Sequence, residues 1–558
     1  MIAVPMPWAR PLRVPWLAGR AHICDVAGVS EPSDQDVYAP PAAEKAGNTA
    51  AGAGDTARRA GRGGLAIAGA KLFFMVIGLV QQIALKHILG LGNYGALGRV
   101  QSIASVVYNP IIATGVQGVS RAVSGAQAAD QPAAQRRVLT IHSLAIVPLA
   151  AGFLFAAPYI AEAIRAPHLT NALRIVAGVL LFYGLYTPLV GVINGRKQFG
   201  RQALLDTLAA TLRTAGLLGG AYFFMRLGQG VEGALGGFVC AAALMAGIAL
   251  PIAGLGKRGP GGPTVQEHVK FIVPLVLGQL ALNLLFQSDL TLLGRFAADA
   301  AAATPGLDEK AADTLAGAYR AAQLFCFLPY QLLLAITFVL FPLLASAHRD
   351  GDGDAVRIYV RTGVRLALVL AGLIVSVSAG LSRPLINLVF GPDAAALGGR
   401  AMFIMALGLG AFAIFGILVT VLTSLKREVL SMVLTIVALA LVVGLCFGLV
   451  RGQPFGEGML VRTAIATGAG LVTATVLAAG AVKKTAGALV SPVTLLRVAL
   501  ALGAAIAVGR SLPEPGKLMT LGYAAAVGVV YLLALLVSRE ITGADGRIVA
   551  RVLSRKSS

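Results

Sequence analysis

The sequence predicts an all-α polytopic membrane protein, and three observations carry that reading. Of its 558 residues, 57% are hydrophobic and only 13% charged, too few charges to coat soluble domains of that total length. The apolar residues gather into runs of about 20, the length of helix that crosses a bilayer. The segments between runs are short, and alternate ones are rich in Lys and Arg, as cytoplasmic loops are.

Residues 1–63 hold Pro, Ala, Gly and mixed charge without a sustained apolar run. "MIAVPMPWARPLRVPWLAG" has Arg and Pro inside its apolar portion, unlike a signal-peptide core. This stretch reads as a disordered cytoplasmic tail. Apolar spans then begin near Leu65, Leu97, Val138, Leu173, Ala203, Gly233, Phe271, Ala318, Gly363, Ala401, Val429, Ala464, Leu495 and Leu518, about fourteen in all by the sliding-window criterion. An even number of spans puts both termini on one side. That side collects "RRAGR" (58–62), "QRR" (135–137), "NGRKQFGR" (194–201), "GKRG" (256–259), "KR" (426–427), "KK" (483–484) and the C-terminal "RVLSRK". The opposite loops hold fewer bases, and one is acidic, "DEKAAD" (308–313). Both termini are therefore expected in the cytoplasm.

An internal repeat divides the chain. Gly95-Ala96-Leu97-Gly98-Arg99-Val100-Gln101 precedes one helix and Gly317-Ala318-Tyr319-Arg320-Ala321-Ala322-Gln323 another, with Gly, Ala and Gln in register. The turn "NGRKQFGR" after the fourth helix is echoed by "TSLKREVL" (423–430) after the tenth. The expected organisation is an N-lobe of helices 1–6 (64–256), a C-lobe of helices 7–12 (257–482), two appended helices (483–539) and a cytoplasmic C-terminal tail (540–558). Pseudo-symmetric halves place a site between them near the midplane and suit alternating access.

Several functions are disfavoured. The net charge of +21 has a source in basic cytoplasmic loops, and no basic patch with interleaved aromatics calls for nucleic acid. Cys24, Cys240, Cys326 and Cys446 are scattered, so neither a metal site nor a disulfide framework is expected. "HRDGDGDAVR" lacks the glutamate that completes a calcium loop, and no glycine cluster is followed by GK[ST]. No cofactor is called for, and no catalytic order marks an enzyme.

The polar residues inside the apolar helices are the informative ones. In the first helix, Lys71, Met75, Gly78, Gln82 and Lys86 share one stripe about 22 Å long. Bases facing lipid would each cost roughly 2.5–3.5 kcal/mol at the midplane; facing a wet cavity avoids this and offers positive charge to a pyrophosphate. Snorkelling to the two interfaces is the competing account. The eighth helix presents Arg320, Gln323, Phe327 and Gln331 at helical spacing, and its repeat partner presents Gln101, Ser105, Tyr108 and Asn109; Lys71, Lys86, Arg99 and Arg320 are the bases expected to draw a pyrophosphate. In "QLALNLLFQSDLTLLGRF" (279–296), Asn283 and Gln287 continue a stripe from Gln279, whereas Asp289 falls about 80° off it on the helical wheel. Interhelical bonding accounts for any one of these amides, but their recurrence in helices 1, 7 and 8 points to a shared cavity. Asp289 is expected at the outer rim, as a gate meeting Lys86 or His87 or as an ion-coupling group. Arg213, the deepest base, shares a face with Asp206, either as a structural pair or as a phosphate anchor and coupling-ion partner.

"ILGLGNYGALGRVQSIASVV" (88–107), "VINGRKQFGRQALLDTLAATLRTAGLL" (192–218) and "GAYRAAQLFCFLPYQLLLAITFVLFPLLASA" (317–347) resemble the MOP superfamily of flippases, within it the polysaccharide-biosynthesis, Wzx-type branch. The resemblance covers most of residues 65–540. It implies a V-shaped, two-lobed bundle in the inner membrane, with helices 1, 2, 7 and 8 lining the cavity. It further implies a polyprenyl-pyrophosphate-linked oligosaccharide as substrate, for cell-surface polysaccharide, with H⁺ or Na⁺ as coupling ion and a polysaccharide polymerase and glycosyltransferases as partners. Lipid II flippases carry paired arginines and an acid in the first helix. Here "FFMVIGLVQQIALKHILG" (73–90) offers Met75, Gln81 and Gln82, which points to another lipid-linked glycan. The rival readings are a cation-coupled small-molecule exporter of the same fold and a membrane-embedded glycosyltransferase or ligase.

Overall fold

The computed structural model describes residues 50–513 and 516–541; side chains before Gly69 and those of Lys71, Ala335, Phe338 and Val339 lie outside the described residues. Both expected tails fall largely beyond these limits. Contacts gather Arg62–Ser558 into one compact unit, and the packing described below lies within it.

No strand occurs among the described residues. The first helix, α1 (Ala50–Gly125), holds the first two expected spans in one run. It is broken only at Gly90, whose φ of 76° and ψ of 169° are not helical, a conformation open to glycine and strained for other residues. The N-lobe continues with α2 (Gln131–Ala163), a 3₁₀ turn (Pro167–Leu169), α3 (Thr170–Gly195), α4 (Phe199–Met225) and α5 (Gly230–Ala253). The C-lobe begins with α6 (Val265–Ala302), started by a capping box between Thr264 and Glu267. The next expected span is split into α7 (Ala311–Cys326) and α8 (Leu328–Arg349), because Pro329 has no N–H to continue the ladder. Then follow α9 (Gly353–Gly380), short α10 (Ser382–Phe390), α11 (Pro392–Ser424), α12 (Glu428–Leu449) and α13 (Glu457–Ala486), and finally α14 (Pro492–Ser511) and α15 (Lys517–Val537).

The packing repeats as the sequence does. In the N-lobe α3 packs on α2 and α5, and α4 on α5; in the C-lobe α11 packs on α9 and α13, and α12 on α13. The α14–α15 pair docks on α9. Buried Glu540 fastens it there, accepting from Arg365 Nε (2.8 Å), Thr494 Oγ1 (3.0 Å) and Arg497 Nη1 (3.3 Å).

Among the described residues eleven helices are long and apolar enough to cross a membrane, against about fourteen spans expected from the apolar windows. The reasons are local: α1 holds two segments in one run, α7 has 16 residues, and α4 carries Arg201, Asp206 and Arg213. Leu72, Val76, Phe155, Tyr159, Phe223, Leu518 and Val537 are among the many large apolar side chains exposed around the bundle. An apolar surface of that extent belongs in lipid, and the chain is a multi-pass membrane protein.

Candidate functional site

A cavity of about 260 Å³ opens between the lobes, lined from α1, α4, α5, α6, α7 and the Phe327 break. Two guanidinium groups face it. Arg320 of α7 donates through Nη2 to Gln101 Oε1 (2.6 Å) and Gln82 Oε1 (3.2 Å), and its Cζ sits 5.4 Å from the centre of the Tyr94 ring. Tyr94 Oη in turn donates to Gln82 Oε1 (3.2 Å). Gly98 makes room for this side chain, since a Cβ there would lie 2.9 Å from Arg320 Cδ. Arg213, midway along α4, stacks over Phe74 at 4.6 Å, and its Nε makes no hydrogen bond among the described residues.

The rest of the lining is amide, hydroxyl and aromatic. Gln81 accepts from Thr214 Oγ1 at 3.1 Å. Asn109 Nδ2 donates to Asn283 Oδ1 (2.7 Å), joining the two lobes at the cavity edge. Gln287, Gln323, Ser105 and Tyr108 complete the polar wall. Phe286 supplies an apolar floor, packed edge-to-face on Phe327, Tyr330 and Phe412 at 5.7, 5.4 and 5.1 Å. No Asp or Glu is among the lining residues. Among the described lining residues both cations meet amide dipoles and ring faces and no carboxylate, and the site favours an anion.

One carboxylate stands directly behind this wall. Asp289 is 3% exposed and accepts from Tyr319 Oη (2.9 Å), Gln323 Nε2 (3.0 and 3.1 Å) and, at longer range, Thr467 Oγ1 (3.4 Å). No Lys or Arg is within ion-pair distance of it among the described residues. Gln323 thus touches both the cavity and the buried acid.

The expected residues divide. Gln82, Gln101, Gln287, Arg320 and Gln323 line the cavity, together with Arg213. Asn283 stands beside it through Asn109. Lys86 and Arg99 are elsewhere, at the end of the bundle where α1 bends. Lys86 Nζ pairs with Asp393 Oδ1 at 2.8 Å. Arg99, 2% exposed, pairs with Asp313 Oδ1 at 2.7 Å and donates to the Ile164 carbonyl at 2.7 Å, while His168 Nε2 meets Asp313 Oδ2 at 2.8 Å. The expected meeting of Asp289 with Lys86 or His87 is replaced by these contacts. The reason is length: α6 runs to Ala302, so about 20 Å of helix lies beyond Asp289 at helical rise, which buries it instead of bringing it to the rim. His87 is exposed and its Nδ1 contacts the Ile83 carbonyl at 2.9 Å; Gln331 is exposed; Asp206 does not line the cavity; the Lys71 side chain lies outside the described residues. Tyr94 and Phe286 were not singled out from the sequence, and Gln81 entered only as a departure from the lipid II flippase pattern, not as a cavity residue. Tyr94 follows the Gly90 bend and Gln81 adjoins Gln82 in sequence, but no periodicity marks either.

Both ends of the cavity are bridged between lobes. Besides Lys86–Asp393 and Arg99–Asp313, Arg165 Nε meets Asp299 Oδ1 at 3.0 Å at the Gly90 end. At the other end Arg121 stacks on Phe271 at 4.0 Å, and His142 Nε2 lies 3.1 Å from His268 Nε2.

Residues 60–348, more than half of the chain, match the model of a family described as polysaccharide biosynthesis protein. The chain belongs to that family. No curated protein matched its sequence. Among solved structures, the chain resembles the lipid II flippase MurJ in an inward closed conformation, with a TM-score of 0.67 at 15% identity over 85% of this chain and 99% of that one. It also resembles an inward-facing multidrug resistance MATE family transporter of the MOP superfamily, with a TM-score of 0.59 at 17% identity over 74% of this chain and 96% of the other. A MOP superfamily transporter from Pyrococcus furiosus gives 0.54 at 15% identity over 75% and 95%. Identities this low speak for the fold alone, which the chain shares with these transporters.

Proposed function

We propose that the protein is a flippase that moves a polyprenyl-pyrophosphate-linked oligosaccharide across the inner membrane by alternating access, for cell-surface polysaccharide. The observation that carries this reading is the pair Arg213 and Arg320 facing one inter-lobe cavity whose described lining has no acid. Two guanidiniums suit a pyrophosphate, which offers several acceptor oxygens to planar donors. The amides and hydroxyls suit sugar, and Phe286 with its neighbours suits a sugar ring face, while the polyprenyl tail stays in lipid. With both termini cytoplasmic, the Gly90 end faces outward. Its three cross-lobe ion pairs then form an outer gate, and the Arg121–Phe271 and His142–His268 contacts form an inner one. Asp289 is the candidate group for coupling to H⁺ or Na⁺: a buried carboxylate without a fixed cation, one side chain away from the substrate wall. Glycosyltransferases that build the lipid-linked unit would supply the substrate, and a polymerase would consume it.

A cation-coupled small-molecule exporter fits less well for a cationic cargo, which two arginines in the cavity would repel. A glycosyltransferase fits less well because no carboxylate in the described cavity wall is available as a base. The test is depletion of the protein followed by extraction of lipid-linked intermediates. Complete sugar units trapped on the cytoplasmic leaflet support flipping, and the Arg213→Ala and Arg320→Ala variants should reproduce that block. Normal glycan export in both variants would sink the proposal.

A further inference from the structure

A second pocket, of about 410 Å³, opens at the Gly90 end, away from the inter-lobe cavity and between the C-lobe and the appended α14. Its floor is the crossing of α9 and α14, where a Cβ on Gly509 would come within 3.0 Å of Gly380 Cα. That close approach sets Arg510, the next residue, beside the first turn of α10. Ser382 in that turn is 9% exposed, lines the pocket, and its hydroxyl makes no hydrogen bond with a described residue. The turn itself has no side-chain cap, so the positive end of α10 adds to the field.

The charge around this hydroxyl is positive on balance, with Arg383, Arg400 and Arg510 lining the pocket against one acid, Glu457. Arg510 stacks on Phe403 at 4.6 Å and makes no ion pair with a described residue. Arg400 reaches Glu457 only at 3.8 Å and is 78% exposed, which leaves most of its donors open. Arg383 lines the pocket too, already engaged in an interaction of its own. A largely buried hydroxyl with no hydrogen-bond partner among the described residues, in a cavity with guanidiniums on its walls, is open to an acceptor from outside the chain. Arginines are also scarce at the outer end of membrane proteins, where under the proposed orientation these lie. Basic pockets between membrane helices on the cytoplasmic side hold lipid headgroups, and the same phosphate chemistry is available to a basic pocket at the outer end.

We infer that this pocket is a phosphate-binding site, with Ser382, Arg400 and Arg510 as its donors, filled by the headgroup of an anionic phospholipid or by free phosphate. The room beyond a single phosphate accommodates the glycerol of a headgroup. The full chain is reconstituted in nanodiscs of phosphatidylcholine with and without phosphatidylglycerol, and retained lipid is read by native mass spectrometry. In a parallel arm, inorganic phosphate is added to phosphatidylcholine nanodiscs and Tm is read. Phosphatidylglycerol retained about tenfold over phosphatidylcholine, with that preference lost in Arg400→Gln/Arg510→Gln, assigns the site to lipid; the factor is that of a charge-assisted hydrogen bond or two. A phosphate-dependent rise in Tm lost in the same variant assigns it to the free anion. Ser382→Ala, which removes one oxygen and adds no strain, should weaken whichever signal is found. Lipid preference and phosphate response unchanged from wild type in both variants overturn the site.

Discussion

Gly95 and Gly317, which hold matching positions in the two halves of the chain, pack against each other across the lobes. A Cβ on Gly95 would lie 1.8 Å from the Asp313 carbonyl oxygen and 2.5 Å from Gly317 N; one on Gly317 would lie 2.3 Å from the Leu91 carbonyl oxygen. The repeat therefore places a glycine on each side of the tightest crossing between lobes, and the backbones of α1 and α7 meet there without side chains between them. Arg99 and Asp313 pair beside it. Gly95→Ala should lower stability by about 1–3 kcal/mol, the usual cost of overpacking, read as a lowered Tm in detergent. Gly78→Ala, where a Cβ meets nothing within 4 Å, should leave Tm unchanged or raised.

The Arg99–Asp313 pair is buried on both sides, at 2% and 7% side-chain exposure. Removing one partner leaves the other charge buried, Asp313 with only His168 beside it and Arg99 with only backbone carbonyls among the described residues, at a cost of about 3–5 kcal/mol. Arg99→Met alone and Asp313→Leu alone should each unfold the protein at markedly lower temperature, while the double variant should recover much of the loss. Thermal unfolding of the four proteins forms the cycle. Additive losses would mean that the two charges are not coupled.

Arg320 is held in place by amide oxygens and a ring face, with no acid between it and the cavity. Arg320→Ala should therefore cost transport far more than stability, with a fall of about tenfold or more for each charge-assisted bond lost to substrate. Arg320→Lys should recover only part, because an ammonium cannot span Gln82 and Gln101 as the guanidinium fork does. Flipping in proteoliposomes, compared with Tm for the same variants, separates the two effects.

Asp289 distinguishes charge from hydrogen bonding. Asp289→Ala leaves the Tyr319 hydroxyl and the Gln323 amide without their acceptor, at a cost of about 1–3 kcal/mol. Asp289→Asn keeps an acceptor oxygen and the shape, so its Tm should lie closer to wild type. If Asp289 couples an ion, transport by the Asn variant should lose its dependence on an imposed H⁺ or Na⁺ gradient. Full gradient dependence in that variant removes Asp289 from the coupling step.

Class, helical content and repeat were legible in the sequence because they depend on local quantities: apolar run length, loop charge and residues in register. The stripe Arg320–Gln323 and its partners Gln82, Gln101 and Gln287 were legible for the same reason, since helical spacing alone decides which residues share a face. What faces that stripe is a different quantity. Lys86 lies on the same predicted stripe as Gln82, yet it pairs with Asp393, 307 residues away, and Arg99 pairs with Asp313, 214 residues away. No periodicity carries such partners. Asp289 looked like a rim residue as long as the end of its helix was unknown; the packing of α6 against α7 and α13 turns it inward instead. The sequence by itself determined the elements and which side of each is polar. Only the tertiary structure decided which polar sides meet a cavity and which meet an opposite charge, because a buried charge is stabilised by whatever neighbour the fold brings to it.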